Sequence, residues 1–149
     1  MGKFMTFKLD HIGVVVENIS EFVKIFHSLG FNGITRPEPD PIQKVAACFI
    51  PLGNRKETYI ELLEPTHDDS PITKFLKKKG GGLHHLCFEV DDIEGITSGL
   101  MRQGFPMVSP PVECVGYDRS FKRQCKQATR ISFLFLSNKL LIELLQKGV

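Results

Sequence analysis

Leu9-Asp10-His11-Ile12-Gly13-Val14-Val15-Val16-Glu17-Asn18-Ile19 lies without a gap over Leu83-His84-His85-Leu86-Cys87-Phe88-Glu89-Val90-Asp91-Asp92-Ile93 when the chain is slid by 74 positions. Leu, His, Val and Ile coincide at equivalent places, and the same offset carries Gly30-Phe31 onto Gly104-Phe105. A register that survives a helix-length segment marks a duplicated unit, and duplication predicts symmetry in space.

Each copy opens with a β-rich run, His11 to Val16 and His85 to Val90, followed by Glu17-Asn18 or Asp91-Asp92, residues suited to capping a helix. Ile19, Phe22, Val23, Phe26 and Leu29 then recur at helical spacing, and Ile93, Ile96 and Leu100 repeat that stripe more weakly. Gly30 and Gly104 are expected to stop these helices. Short β-rich segments follow at Val45 to Pro51 and Thr58 to Leu63, and again at Arg130 to Leu136 and Leu140 to Leu145. One further short strand is expected in each copy, near residues 32–36 and 106–109.

The reading is α+β: two tandem βαβββ modules forming a curved mixed sheet around a central metal site. Residues 1–149 make one domain, with module one over about 6–64, a linker helix over about 68–80 and module two over about 82–147. The linker helix is expected to start at Asp69-Ser70-Pro71, to bury Phe75-Leu76 and to end at Gly80-Gly81-Gly82.

Composition narrows the function classes. The 149 residues suit one domain, and a net charge of +2 is too small to steer the molecule onto nucleic acid or anionic lipid. No run reaches the roughly 20 apolar residues of a membrane helix, and MGKFMTFKLD has neither a long apolar core nor a small-residue cleavage site. A cytoplasmic protein with no membrane or nucleic-acid partner is expected. Cys48, Cys87, Cys114 and Cys125 form no CxxC pair and are read as free thiols.

The last strands of the two copies also match, Tyr59-Ile60-Glu61-Leu62-Leu63-Glu64 against Leu141-Ile142-Glu143-Leu144-Leu145-Gln146, now offset by 82. Each copy thus owns one His on its first strand and one Glu on its last. A lone Glu in a strand most often faces solvent. Here the carboxylate sits between apolar neighbours in both copies, and burying it needs a partner or a metal. Two imidazoles and two carboxylates related by a pseudo-twofold axis make a mixed N and O set suited to one divalent ion of Co, Ni, Mn, Zn or Fe. The metal set is therefore His11, Glu61, His85 and Glu143.

With those residues in place, LDHIGVVVENI, YIELLEP, DSPITKFLKKKGGGLHHLCFEVDDIE and LIELLQ together resemble the vicinal-oxygen-chelate superfamily, which includes glyoxalases, bleomycin-resistance proteins and dioxygenases. Within it the likeness is greatest to the epimerases of methylmalonyl-CoA, over most of the chain except residues 110–129. The resemblance implies the same four ligands and a metal-stabilised enediolate formed by removing a proton next to a thioester or ketone carbonyl. It also implies an acyl-CoA substrate, a homodimer, and a carboxylate as base, first Glu143 and then Glu61. A glyoxalase I-like lyase acting on a thiol adduct or small hydroxy-carbonyl is the second reading. A non-catalytic small-molecule-binding module of the same fold is the third.

The chain departs from the epimerase pattern at ECVGYDRSFKRQCKQATR, where the family has a glycine-rich stretch, and at Pro41-Ile42, ahead of Gln43. Arg119, Lys122, Arg123, Lys126 and Arg130 fall in the first of these and could meet an anionic substrate at the mouth of the site, or form a solvated loop. Lys77-Lys78-Lys79 could attract coenzyme A phosphates, or simply complement a helix dipole. His84 is expected on the strand face opposite His85, and His27 and His67 at the surface.

Overall fold

The computed structural model describes residues 7–149, apart from the side chain of Asn138. The first module runs β1 (Lys8–Val15), α1 (Ile19–Ser28), β2 (Glu38–Asp40), β3 (Val45–Leu52) and β4 (Thr58–Pro65). After α2 (Thr73–Lys79), the second runs β5 (Gly82–Glu89), α3 (Ile93–Arg102), β6 (Met107–Glu113), α4 (Val115–Ser120), β7 (Arg130–Phe135) and β8 (Leu141–Gln146).

All eight strands join one sheet in the order β2-β3-β4-β1-β5-β8-β7-β6, which reads the same from either end once module numbers are exchanged. β1 pairs antiparallel with β5 at the centre, and each of them pairs parallel with the last strand of its own module. Residues of β3 and β7, second from either end of the sheet, line one cavity, so the sheet curls around it.

The helices stand where their caps predict. Asn18 Oδ1 accepts from the Glu21 N–H at 3.2 Å, and Asp92 Oδ1 accepts from the Gly95 N–H at 3.0 Å. Both ends close alike: the Phe31 N–H donates to Phe26 O and the Phe105 N–H to Leu100 O, around Gly30 and Gly104 at φ of 96° and 94°. α1 buries Ile19 against Val16, Cys48, Ile50 and Leu62, while α3 buries Ile93 and Ile96 against Leu134, Ile142 and Leu144. Each such chain contributes about 1.5–3 kcal/mol when fully buried. Strand alternation then settles the other face: Leu62 and Leu144 meet the helices, so Glu61 and Glu143 point into the concave side.

Three boundaries differ from expectation. The short strand of module one is β2 at residues 38–40, not 32–36, and its counterpart β6 extends over residues 107–113. Both are edge strands containing proline, Pro39 and Pro110-Pro111, and an edge is where a strand tolerates the missing N–H. α2 begins at Thr73, because Asp69 to Ile72 form a turn closed by Ser70 N–H to His67 O and Thr73 N–H to Ser70 O. Within residues 110–129 stands α4, held by the buried Asp118, which accepts from the Thr129 N–H at 2.8 Å and from the Thr129 hydroxyl. Gly116 packs α4 against Pro39 and Asp40 of β2, so the second module closes onto the far edge of the first. The four cysteines are free thiols. Among the described residues no helix is long and apolar enough to cross a membrane.

Candidate metal centre

Sheet register builds the centre in two symmetric rows. Gly13 of β1 lies between Glu61 of β4 and His85 of β5, and Cys87 of β5 lies between Glu143 of β8 and His11 of β1. Gly13 and Cys87 are themselves equivalent under the 74-residue offset. Each row therefore sets an imidazole and a carboxylate on either side of one small residue. At Gly13 the requirement is strict, since a Cβ there would sit 2.1 Å from Cε1 of His85, whose ring lies over the backbone.

The four side chains converge. His11 Nε2 stands 2.8 Å from Glu143 Oε1 and 3.3 Å from Glu61 Oε1, and His85 Nε2 stands 3.5 Å and 3.3 Å from the same two oxygens. All four ligand atoms lie within 4.8 Å of one another, and all four residues are buried. Glu143 Oε1 has no well-aligned hydrogen-bond donor despite its closeness to His11, so it is an orphaned buried oxygen aimed into the cluster.

A β-bulge supports each imidazole. On β1, Asp10 is the extra residue between Leu9 and His11; on β5, His84 is the extra residue between Leu83 and His85. The bulge breaks strand alternation, so His84 lies on the same side as His85, contrary to the expected opposite face, and lines the cavity. Asp10 Oδ2 accepts from His11 Nδ1 at 2.7 Å, and its Oδ1 accepts from the Tyr117 hydroxyl at 2.9 Å. That leaves the Nε2 lone pair of His11 free for a cation, the usual arrangement behind a metal-binding histidine. In the other half His84 Nδ1 meets His85 Nδ1 at 2.9 Å, and Phe75 stacks edge-on against His84.

Electrostatics report what the cluster wants. Burial opposes a charge on His11, but Cys87, Glu61, Glu143 and Asp10 outweigh it and hold its pKa well above the ordinary range. Burial also pushes the Cys87 thiol far up. Burial likewise opposes a charge on His85, and Glu143 and Glu61 overcome it. The carboxyls of Glu61 and Glu143 are driven below the usual range, against burial, chiefly by the His11 charge. His84 moves the other way, down to about 4 through burial and the charge on His85. Without a metal, the two buried carboxylates draw both imidazoles toward their positively charged forms. One divalent cation among two nitrogens and two oxygens supplies the same charge, and the orphaned Glu143 oxygen and this donor set fit it.

The centre opens into a cavity of about 550 Å³. Its walls are mainly apolar, with Glu38, Asp40, Gln43, His84, Ser109, Cys114 and Tyr117 as further polar members. Of the two readings open for the basic strip, the cavity's lining does not favour a basic mouth: among the described residues none of Arg119, Lys122, Arg123, Lys126 and Arg130 lines the cavity. Arg123 instead binds Asp118 and the Gly148 carbonyl, and Arg130 pairs with Glu94. Lys79 rests over the Phe75 ring at 5.5 Å, and His27 and His67 are exposed.

Sequence reasoning did not single out Asp10, Gly13, Cys87 or Tyr117. The first had a visible signal, because Asp10 and His84 are equivalent neighbours of the two matched histidines.

The family described as Glyoxalase/Bleomycin resistance protein/Dioxygenase superfamily matches residues 10–122. The chain belongs to this superfamily. It is 34% identical over 111 residues to methylmalonyl-CoA epimerase, mitochondrial, of Dictyostelium discoideum, covering 74% of this chain and 65% of that one. The aligned part spans 53% to 65% of the length of the four mitochondrial epimerases it matches. Among solved structures, a hypothetical protein of Bacillus halodurans C-125 superposes with a TM-score of 0.78 at 30% identity, covering 97% of this chain and 96% of that one. A variant of the Streptomyces coelicolor methylmalonyl-CoA epimerase, in complex with 2-nitronate-propionyl-CoA, superposes at 0.75 with 25% identity, covering 97% and 96%. The superfamily match ends before β7 and β8, so Glu143 joins the centre on internal symmetry and geometry rather than on that match.

Proposed function

We propose that the protein is a metal-dependent isomerase of the methylmalonyl-CoA epimerase type, abstracting a proton alpha to a thioester carbonyl. The observation that carries this is the convergence of His11, Glu61, His85 and Glu143, the last three of which line a cavity of about 550 Å³. The similarity to named epimerases supports it.

In this reading the four residues hold one divalent ion, which when bound supplies Lewis acidity to the substrate's carbonyl oxygens. The chain's own residues do the rest. Asp10 holds the His11 tautomer, and Tyr117 fixes Asp10 from α4. Glu143 and Glu61 both face the ring nitrogens with Oε1, so Oε2 of each is the atom that takes the α-proton, Glu143 first. Inversion requires a group on each face of the planar carbon, and the two carboxylates come from opposite modules. Phe49 against His11 and Phe133 against His85 exclude water from the imidazoles.

The test is incubation of the metal-reconstituted protein with one epimer of methylmalonyl-CoA in deuterated water. Deuterium should enter the α-carbon while the epimers equilibrate; no exchange with any acyl-CoA overturns the proposal. The glyoxalase-like lyase remains the second reading because α4, in the segment that departs from the epimerase pattern, supplies Gly116 and Tyr117 to the cavity wall. Turnover of a glutathione adduct without α-exchange selects it.

A further inference from the structure

The proposed reaction leaves the character of the cavity walls unused. Alternate residues of β3, Val45, Ala47 and Phe49, face the cavity from one side, and Ile131, Phe133 and Phe135 of β7, the matching strand of the other module, face it from the opposite side. Hydrocarbon continues to the rim, where Ile42 and Val108 are exposed yet belong to the lining. Beside the metal-facing imidazoles stand the rings of Phe49 and Phe133.

The charges are as one-sided as the walls. No Lys or Arg among the described residues lines the cavity, and its charged members outside the ligand set are the carboxylates Glu38 and Asp40. Asp40 is already engaged, accepting from the Ile42 and Gln43 N–H groups and from the Cys114 thiol. A substrate anion can therefore be compensated only at the metal centre. Any further anionic group would be desolvated against hydrocarbon and face Glu38.

We infer that this cavity selects chelating acyl substrates whose 2-substituent is a branched, uncharged hydrocarbon larger than methyl. The inference rests on the metal site of the proposed function but not on the proposed reaction. In a cavity of about 550 Å³ a methyl group covers little of these walls, whereas a four-carbon branched group brings three more carbons against them. Each buried methylene adds about fourfold in affinity, so three additional carbons add roughly fiftyfold.

The experiment is calorimetric titration of the Co²⁺-loaded protein with methylmalonate, isobutylmalonate and carboxymethylmalonate, each affinity divided by that acid's affinity for free Co²⁺, with metal-free protein as blank. Isobutylmalonate is expected to bind roughly fiftyfold tighter than methylmalonate. Carboxymethylmalonate, close to isobutylmalonate in shape but carrying one more charge, should bind more weakly than methylmalonate. The inference is overturned if methylmalonate or carboxymethylmalonate binds as well as isobutylmalonate, or if none of the three binds. Tight isobutylmalonate binding with no α-exchange in any acyl-CoA removes the proposed reaction and leaves the cavity inference standing.

Discussion

The two modules present the same ligands but support them differently. In the first, the bulged residue before the ligand is Asp10, a buried acceptor of the hydrogen bond from His11 Nδ1–H that is itself held by Tyr117. In the second, the bulged residue is His84, half-buried, kept neutral, and bounded by Phe75. Both copies carry the same His and Glu, while the residues behind the two imidazoles differ. A carboxylate behind an imidazole raises its basicity and locks its ring, while a neutral imidazole can only orient it. The small residues between ligands differ too: Gly13 lies under the His85 ring and Cys87 beside His11.

The sharpest way to break this comparison is at the small residues. Gly13→Ala places a methyl group inside the His85 ring, so the variant should lose at least about nine-tenths of its bound metal by elemental analysis while keeping its circular dichroism spectrum. Cys87→Ala, at the equivalent place, removes volume instead and should keep its metal. Equal retention by both would contradict the proposed packing.

The histidine supports should differ by less. Asp10→Asn is expected to weaken metal affinity about 10–100-fold in a chelator competition. His84→Gln, which can still hydrogen-bond His85, should change it by under about threefold. A reversed order would show that the second module, not the first, anchors the ion.

Much of this was legible in the sequence, and the physics explains which parts. The 74- and 82-residue offsets expose the candidate ligands because both copies carry the same His and the same Glu at equivalent places, a mixed N and O set suited to a divalent ion. The helices were legible through caps and apolar spacing, Asn18 and Asp92 above all. The bulges at Asp10 and His84 were not, because each is the third residue of its strand and too few residues precede it for the shift in alternation to show before the strands pair. Nor were the edge strands with Pro39 and Pro110 placed well, since proline reads as a breaker until the strand is known to lie at an edge. The basic strip stayed open between two readings for a different reason. Charge can be counted along a chain, but Arg123 and Arg130 had acceptors, Asp118 and Glu94, that only folding brings to them.

The most direct measurement is the metal content of the purified, reconstituted protein, wild type beside Glu143→Ala. The wild type should hold one divalent ion per chain, and the variant, folded but lacking an oxygen ligand, less than about a tenth of that. A wild type that takes up no divalent ion, or a variant that holds it equally well, would contradict the centre on which both the proposed reaction and the cavity's selectivity depend.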